Sequence, residues 1–263
     1  KAEQLGGGYA ISSWAEKISY ESADAIIAVS DGMKRDIISS YPALAESRIH
    51  TIRNGINTER FTPNPDISIL KRYGVSQPYA LFVGRITRQK GLAHLLRAWR
   101  DVSKEFTLVV AASSPDEPAI GQEVEELITE LQKDRSVIWI REMLPHDSLT
   151  ALLTQARAFI CPSIYEPLGI VNLEAMACET AVIATRVGGI PEVVAEKETG
   201  ILVDLSSDSA SLEGALTKAI TELMTDQDRA TALGIKGRQR AIAEFSWDKV
   251  ACATMDLYES LIG

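Results

Sequence analysis

From Tyr79 onward, short apolar runs alternate with segments of helical periodicity, and this restricts the chain to few architectures. The runs at 79–83, 107–111, 137–140, 158–160, 181–184 and 201–203 are too short for helices and read as buried strands. Between them lie one-sided helical patterns such as Leu92, Leu95, Leu96 and Trp99. Strand and helix in alternation predict an α/β fold, a doubly wound Rossmann-like parallel sheet with helices on both faces. With 46% hydrophobic residues in 263, the chain can fill such a core without disulfides or a structural metal. Ligands of these sheets bind outside the carboxyl ends of the strands. The loops at 84–90, 112–118, 141–145 and 163–169 all follow strands and so share that edge.

Residues 1–56 spell a shorter version of the same pattern. Ile11, Trp14, Ala15 and Ile18 fit one helical face, 25–29 reads as a strand, Ser30 or Asp31 caps a helix ending near Tyr41, and 48–52 is a second strand closed by Asn54-Gly55. So small a unit buries its own faces poorly. It reads as the tail of a first Rossmann-like domain, and the chain, which starts at Lys1 without Met, as the middle of a longer protein. Residues 57–65, with Pro63 and Pro65 and no periodicity, read as an interdomain linker. Residues 66–245 then form a complete second domain. The segment 208–262 reads as almost entirely helix, with Trp247, Val250, Met255, Leu257, Tyr258 and Leu261 available for burial near the end.

Two clusters carry chemistry. The first runs from Cys161 to Glu196, where an apolar strand turns through Pro162, Ser163 and Pro167 into a helix opening at about Gly169. The amides of Gly169, Ile170, Val171 and Asn172 are among the donors such a start leaves without intrahelical partners, and its partial positive charge suits a phosphate. Glu166 and Glu174 bracket this start with seven residues between them, and Glu174, one turn deeper, could grip a pair of sugar hydroxyls. On spacing alone the two carboxylates could equally just offset the helix dipole. The second cluster is Gly84-Arg85-Ile86-Thr87-Arg88-Gln89-Lys90-Gly91, between a strand and a helix. Arg85 can fork onto phosphate oxygens and Lys90 adds a point charge, together enough to neutralise a diphosphate, while Arg88 fits a plain surface position better. Neither a dinucleotide G-x-G-x-x-G nor a P-loop is present here. Gly188-Gly189-Ile190-Pro191-Glu192 could let backbone approach a ligand or be an ordinary tight connection.

A net charge of −9 with no Lys/Arg run argues against nucleic acid or an anionic membrane as the main partner, so any phosphate site must be built from a few placed cations. No apolar run reaches the length of a membrane span and no signal peptide is visible. Cys161, Cys178 and Cys252 lack metal or redox spacing and read as buried, reduced thiols of a cytoplasmic protein. His50, His94 and His146 are scattered, so no metal site is expected, and His94 falls off the apolar face of its helix, as a solvated residue would.

Taken together, the motifs resemble those of retaining GT-B glycosyltransferases of family four: Glu166 and Glu174 match its E-x7-E motif, Arg85 and Lys90 its G-R-x-x-x-x-K-G loop, and 187–192 its next segment. The stretches EQLGGGYAISSWAEK, SSPDEP, WIREMLP and CPSIYEPLGIVNLEAMACE look like actinobacterial glycogen synthases. The resemblance implies metal-independent glucosyl transfer from a nucleotide-glucose, ADP-glucose in those enzymes, to an α-1,4-glucan or to glucose 1-phosphate, with no cofactor because the nucleotide-sugar is a substrate. It gives Glu166 the sugar and the cationic centre, Glu174 the ribose, Arg85, Lys90 and the start at Gly169 the diphosphate, and places Gly84, Met143 and Leu144 beside the nucleotide. It also implies that the helix at 246–263 crosses back to the first domain, beside residues 1–30. The family's glycine-rich loop after the second strand of this domain is replaced here by Ala112-Ser113-Ser114-Pro115-Asp116. Another GT-B hexosyltransferase, a nucleotide-sugar epimerase on the same architecture and a module that only binds nucleotide remain as rival readings, and the acceptor, base and oligomeric state stay open.

Overall fold

The computed structural model describes residues 10–262 except 77 and 207. Its first unit runs α1 (Ala10–Ser22), β1 (Ile26–Ala28), α2 (Asp31–Ser40) and β2 (Ile49–Thr51). The second begins with α3 (Ser68–Tyr73), β3 (Tyr79–Val83), α4 (Leu92–Trp99), β4 (Thr107–Ala111), α5 (Pro118–Leu131), β5 (Ser136–Ile140) and α6 (His146–Gln155). It continues with β6 (Ala158–Cys161), α7 (Ile170–Ala177), β7 (Ala181–Thr185), α8 (Ile190–Val193), β8 (Gly200–Val203), α9 (Ser209–Thr225), α10 (Gln227–Glu244) and α11 (Trp247–Ile262). β1 and β2 pair in parallel, and the other strands form one six-stranded parallel sheet in the order β5-β4-β3-β6-β7-β8.

The strand order explains where a site can lie. From β3 the chain winds outward through β4 to β5, then returns to β6 beside β3 and winds the other way. The crevice of a doubly wound sheet opens at that reversal, between the carboxyl ends of β3 and β6. The loops leaving these two strands are 84–91 and 162–169, the two that carry the chemistry read from the sequence. Alternation along each strand supplies both faces with core: Ala80 and Phe82 of β3 join Leu108 and Val110 of β4 on one side, and Tyr79, Leu81 and Val109 lie on the other. Strands apolar on both faces are what a sheet covered by helices twice over requires.

Some elements differ from expectation. Residues 68–73 form α3, too short to show a helical period, closed by Gly74 at φ 63° with its amide on the carbonyls of Leu70 and Lys71. Residues 88–90 form a single 3₁₀ turn instead of a loop, capped by the Thr87 hydroxyl on the Lys90 amide. His94 is half-buried, its Nδ1 3.2 Å from Glu213 Oε1, because α9 packs over α4 and closes the face left solvated by the helical pattern alone. Cys161 and Cys178 are buried as expected, but Cys252 is exposed on α11. That helix starts against the first unit: the Ile56 amide donates to the Phe245 carbonyl at 2.8 Å, and Trp247 lies over Gly55. Beyond its start, Met255, Tyr258 and Leu261 are exposed and Leu257 alone is buried. The expected burial of this face is not found, and Ile11, Trp14 and Ile18 of α1 are exposed as well.

Gly91 allows the two site loops to meet. It sits at φ 66°, and a Cβ there would lie 1.9 Å from the carbonyl oxygen of Pro162. Gly91→Ala should therefore destabilise the domain by about 1–3 kcal/mol from backbone strain alone. Urea unfolding of the variant checks this, with a loss no larger than that of Gly214→Ala, where a Cβ meets nothing, as the contrary result.

Candidate active site

Three loops converge on Glu166. The first is fastened to the second by backbone and side chain: the Ile164 amide donates to the Gln89 carbonyl at 2.8 Å, and Gln89 Nε2 donates to the Tyr165 carbonyl at 3.0 Å. With Gln89 so held and the 3₁₀ turn capped, Lys90 Nζ reaches Glu166 Oε2 at 2.6 Å. Ser163 Oγ donates to the same oxygen at 3.3 Å. The side chains of the pair are only 19% and 10% exposed. Removing one partner of such a desolvated pair leaves an uncompensated charge, at a cost of about 3–5 kcal/mol. The third loop braces the main chain of Glu166. The Gly189 amide donates to the Glu166 carbonyl at 3.0 Å, and Gly188, at φ 53°, has no room for a Cβ against that carbonyl.

α7 starts beside this carboxylate. Its N-cap, Gly169, is left-handed at φ 96°, and no side chain caps it. The Asn172 amide, expected among the unpaired donors, donates to the Gly169 carbonyl at 2.9 Å, so the open donors at this start belong to earlier residues. Sequence reasoning missed the Asn172 side chain. It is fully buried with both amide atoms lacking a hydrogen bond within the protein, and its Nδ2 lies 2.6 Å from where a Gly169 Cβ would sit. The glycine thus makes the space that the amide fills.

The carboxyl of Glu174, one turn further along, has no hydrogen bond or ion pair among the described residues. Burial pushes its carboxyl up to about 7. Arg85 stands at the rim, exposed and 2.9 Å from Asp116 Oδ2. With Val83, Gly84, Ala112, Met143 and Leu144 it lines an apolar recess of about 230 Å³. The structure therefore brings Gly84, Arg85, Met143 and Leu144 to one recess and Lys90 and Glu166 into contact. Arg88 is paired with Glu117 and Glu123 on the outer surface, in keeping with its reading as a surface residue. A further residue that the sequence did not single out is Glu192, whose carboxylate accepts from the amides of Asp31 and Gly32 in the first unit. No group of His, Cys, Asp or Glu arranged to hold a metal ion occurs among the described residues. Nor is any helix among them long and apolar enough to cross a membrane.

An α/β sheet with charged loops at its reversal point and an E-x7-E pair at a helix start defines a class, and comparison with known proteins identifies the family. Residues 71–240 match the family model described as Glycosyl transferases group 1, and residues 3–60 match Glycosyltransferase Family 4. The chain belongs to the group 1 glycosyltransferases, enzymes of the GT-B fold. It is similar to the alpha-maltose-1-phosphate synthase of Mycolicibacterium smegmatis, at 50% identity over 99% of this chain and 69% of that protein. It is 33% identical to the glycogen synthase of Mycobacterium tuberculosis over 95% of this chain and 56% of the relative. Among solved structures, the sucrose-phosphate synthase of Thermosynechococcus elongatus superposes with a TM-score of 0.78 at 30% identity, covering 95% of this chain and 61% of the other. The Anabaena protein Alr3699/HepE, solved in complex with UDP and glucose, shares the fold with a TM-score of 0.83 at 20% identity, over 94% and 66% of the two chains.

The raised Glu174 carboxyl gives a test by pH. If it accepts hydrogen bonds from ribose hydroxyls, the ionised form is the better acceptor, and affinity must rise as pH passes upward through about 7. Adenosine, which has no phosphate of its own to titrate, should bind about tenfold more weakly at pH 6 than at pH 8. Calorimetry should show that Glu174→Gln removes the dependence; a flat profile in the unaltered protein would separate Glu174 from the ribose.

Proposed function

We propose that this chain is the donor-binding part of a retaining transferase that moves glucose from a nucleotide-glucose, ADP-glucose being the favoured donor, to an α-1,4-glucan or glucose 1-phosphate. The observation that carries the proposal is the Lys90–Glu166 pair at the reversal point of the sheet, beside the start of α7. The names of the relatives, alpha-maltose-1-phosphate synthase and glycogen synthase, support the choice of sugar and of both acceptors. The base lies in the recess formed by Gly84, Met143 and Leu144, the ribose on Glu174, and the diphosphate on Arg85, Lys90 and the amides near Gly169. As the glycosidic bond breaks, positive charge grows at the anomeric carbon and negative charge on the leaving diphosphate. Lys90 and Arg85 meet the negative charge, so metal is not required in this reading, and Glu166 faces the positive one. In this mechanism the acceptor attacks from the face on which the diphosphate leaves, and the configuration is retained. The protein works in the cytoplasm, where nucleotide-sugars are made.

The two cations and two carboxylates should separate experimentally. Arg85→Ala should weaken nucleoside diphosphate by about 1.5–3 kcal/mol while sparing the nucleoside, because only a charge-assisted phosphate contact is lost. Equal losses for both ligands by calorimetry would place Arg85 elsewhere. In the full-length protein, Glu166→Gln should chiefly lower kcat and Glu174→Gln chiefly raise the nucleotide Kd, since one partner becomes charged only at the transition state and the other is bound throughout. Steady-state kinetics with titration of both variants decides it; a reversed pattern exchanges their roles. Release of nucleoside diphosphate only when a sugar acceptor is added distinguishes transfer from epimerisation.

A further inference from the structure

Glu192 lies at the first turn of α8, in the segment whose glycines brace Glu166. Its carboxylate is directed away from the sheet and into the other unit. Oε2 accepts from the Asp31 amide at 3.1 Å and Oε1 from the Gly32 amide at 2.9 Å, so the carboxylate spans the start of α2. Arg53, from the end of the first unit, donates its Nε to Glu192 Oε2 at 2.8 Å and its Nη2 to Asp31 Oδ2 at 2.9 Å. Thr51 completes the cluster with a 2.6 Å bond to Asp31 Oδ1. An ionised carboxylate at a helix start, on two amides and a guanidinium, makes charge-assisted bonds of the strong kind. Arg240 fixes the other side of the turn, with its Nη2 and Nε each 3.0 Å from the carbonyls of Glu192 and Val193.

The same turn of the first unit is tied a second time. Ser30, fully buried, caps α2 by accepting from the Met33 amide and donates its own hydroxyl proton to the Pro167 carbonyl. Gly32 seats directly on Gly188, where a Cβ would come within 2.5 Å of the carbonyl oxygen. These bonds close a ring. It runs from Ser30 to Pro167, through Glu166 to the Gly189 amide, along α8 to Glu192, and back to Gly32. Glu166 is a member of that ring, with one tether on its own carbonyl and the other on the carbonyl of Pro167, the next residue.

We propose that Glu192 is a positioning residue for the transfer reaction, fixing the first unit against the donor loops so that an acceptor held by that unit meets the sugar at Glu166. It touches neither donor nor acceptor, and it acts through the backbone of 187–190 and the start of α2. For its kinetic consequence the inference rests on the function proposed above; the geometry it claims does not.

The test uses the full-length protein. A displacement of about an ångström at the reacting centre costs about 100-fold in rate, so Glu192→Gln should lower kcat by about that factor. Its nucleotide Kd should change far less than kcat, because Arg85 and the base recess lie on other loops and only the amides near Gly169 are shared with the ring. Amide exchange should quicken at 31–32 and at 166–169 together, and Glu192→Asp should recover part of the rate. Arg53→Met, on a half-exposed side chain, should give a smaller loss in the same direction and stands in should the Glu192 variants fail to fold. The proposal is overturned if exchange at 166–169 is unchanged in Glu192→Gln, or if kcat is unchanged while the amides at 31–32 lose protection. It is also overturned if nucleotide Kd rises in step with the loss of kcat, the mark of a general structural role. If the parent protein transfers sugar to no acceptor, the proposed function fails, and the exchange arm alone decides the fate of the ring.

Discussion

The contact between Lys90 and Glu166 is the constraint to which the local structure answers. Two side chains of opposite charge, nearly out of solvent, tolerate little error in position, and their loops leave different strands at the point where the sheet reverses. Bringing those loops together forces main chain onto main chain: Gly91 against Pro162 and Gly188 against Glu166, each with no space for a side chain. Glycine is needed at both because the backbone there is left-handed as well as crowded. The buried pair is expensive in desolvation and is therefore weak evidence of stability. What it supplies is a carboxylate and an ammonium fixed within hydrogen-bonding distance of each other, a useful property where charges of both signs develop in one step.

Charge is arranged on the same principle elsewhere. The protein is acidic overall, at −9, and the cations around the cleft are compensated one at a time: Lys90 by Glu166, Arg85 by Asp116, Arg53 by Asp31 and Glu192. Their environments differ. Arg85 and Asp116 are both open to solvent, and such a pair is worth about 0–1 kcal/mol, so the diphosphate proposed for this loop would take Arg85 from Asp116 at little cost. Lys90 cannot be drawn away so cheaply, because Glu166 would be left buried without a counter-charge, with only the Ser163 hydroxyl on its carboxylate. The rim cation is thus the exchangeable one and the inner cation the fixed one.

The sequence made the sheet and the positions of the loops legible because both follow from period and from the apolar runs. It also made Glu166, Glu174, Arg85 and Lys90 legible as candidates, through residue type at the ends of strands and starts of helices. Their partners were another matter. Nothing local to Lys90 indicates a residue 76 positions away, and only the strand order supplies that contact. Glu192 was hidden for the same reason: its segment reads from its glycines as a backbone approach or a tight connection, whereas its carboxylate serves the start of a helix far away in the sequence. His94 was misjudged because the helix that covers it comes more than a hundred residues later. The apolar side of α11 is exposed among the described residues apart from Leu257: periodicity reports that a face can be buried, and it does not say which surface covers it.

The two glutamates of the E-x7-E pair show how one helix start can hold carboxylates in different surroundings. Glu166 precedes the start, carries a lysine and a serine on one oxygen, and has its own carbonyl pinned by Gly189. Its charge is balanced and its position is fixed within the protein itself, which suits the role proposed for it, facing a cation formed only in passing. Glu174 lies inside the helix with no such partner, and burial pushes its carboxyl up to about 7. A group in that state has unspent capacity to accept hydrogen bonds, and neutral hydroxyls can supply them without bringing a counter-charge. Ligand binding would then draw the proton off Glu174 and make its ionisation part of recognition. Spacing alone gives the two residues the same appearance; the difference lies in which of them the fold has already provided with a cation.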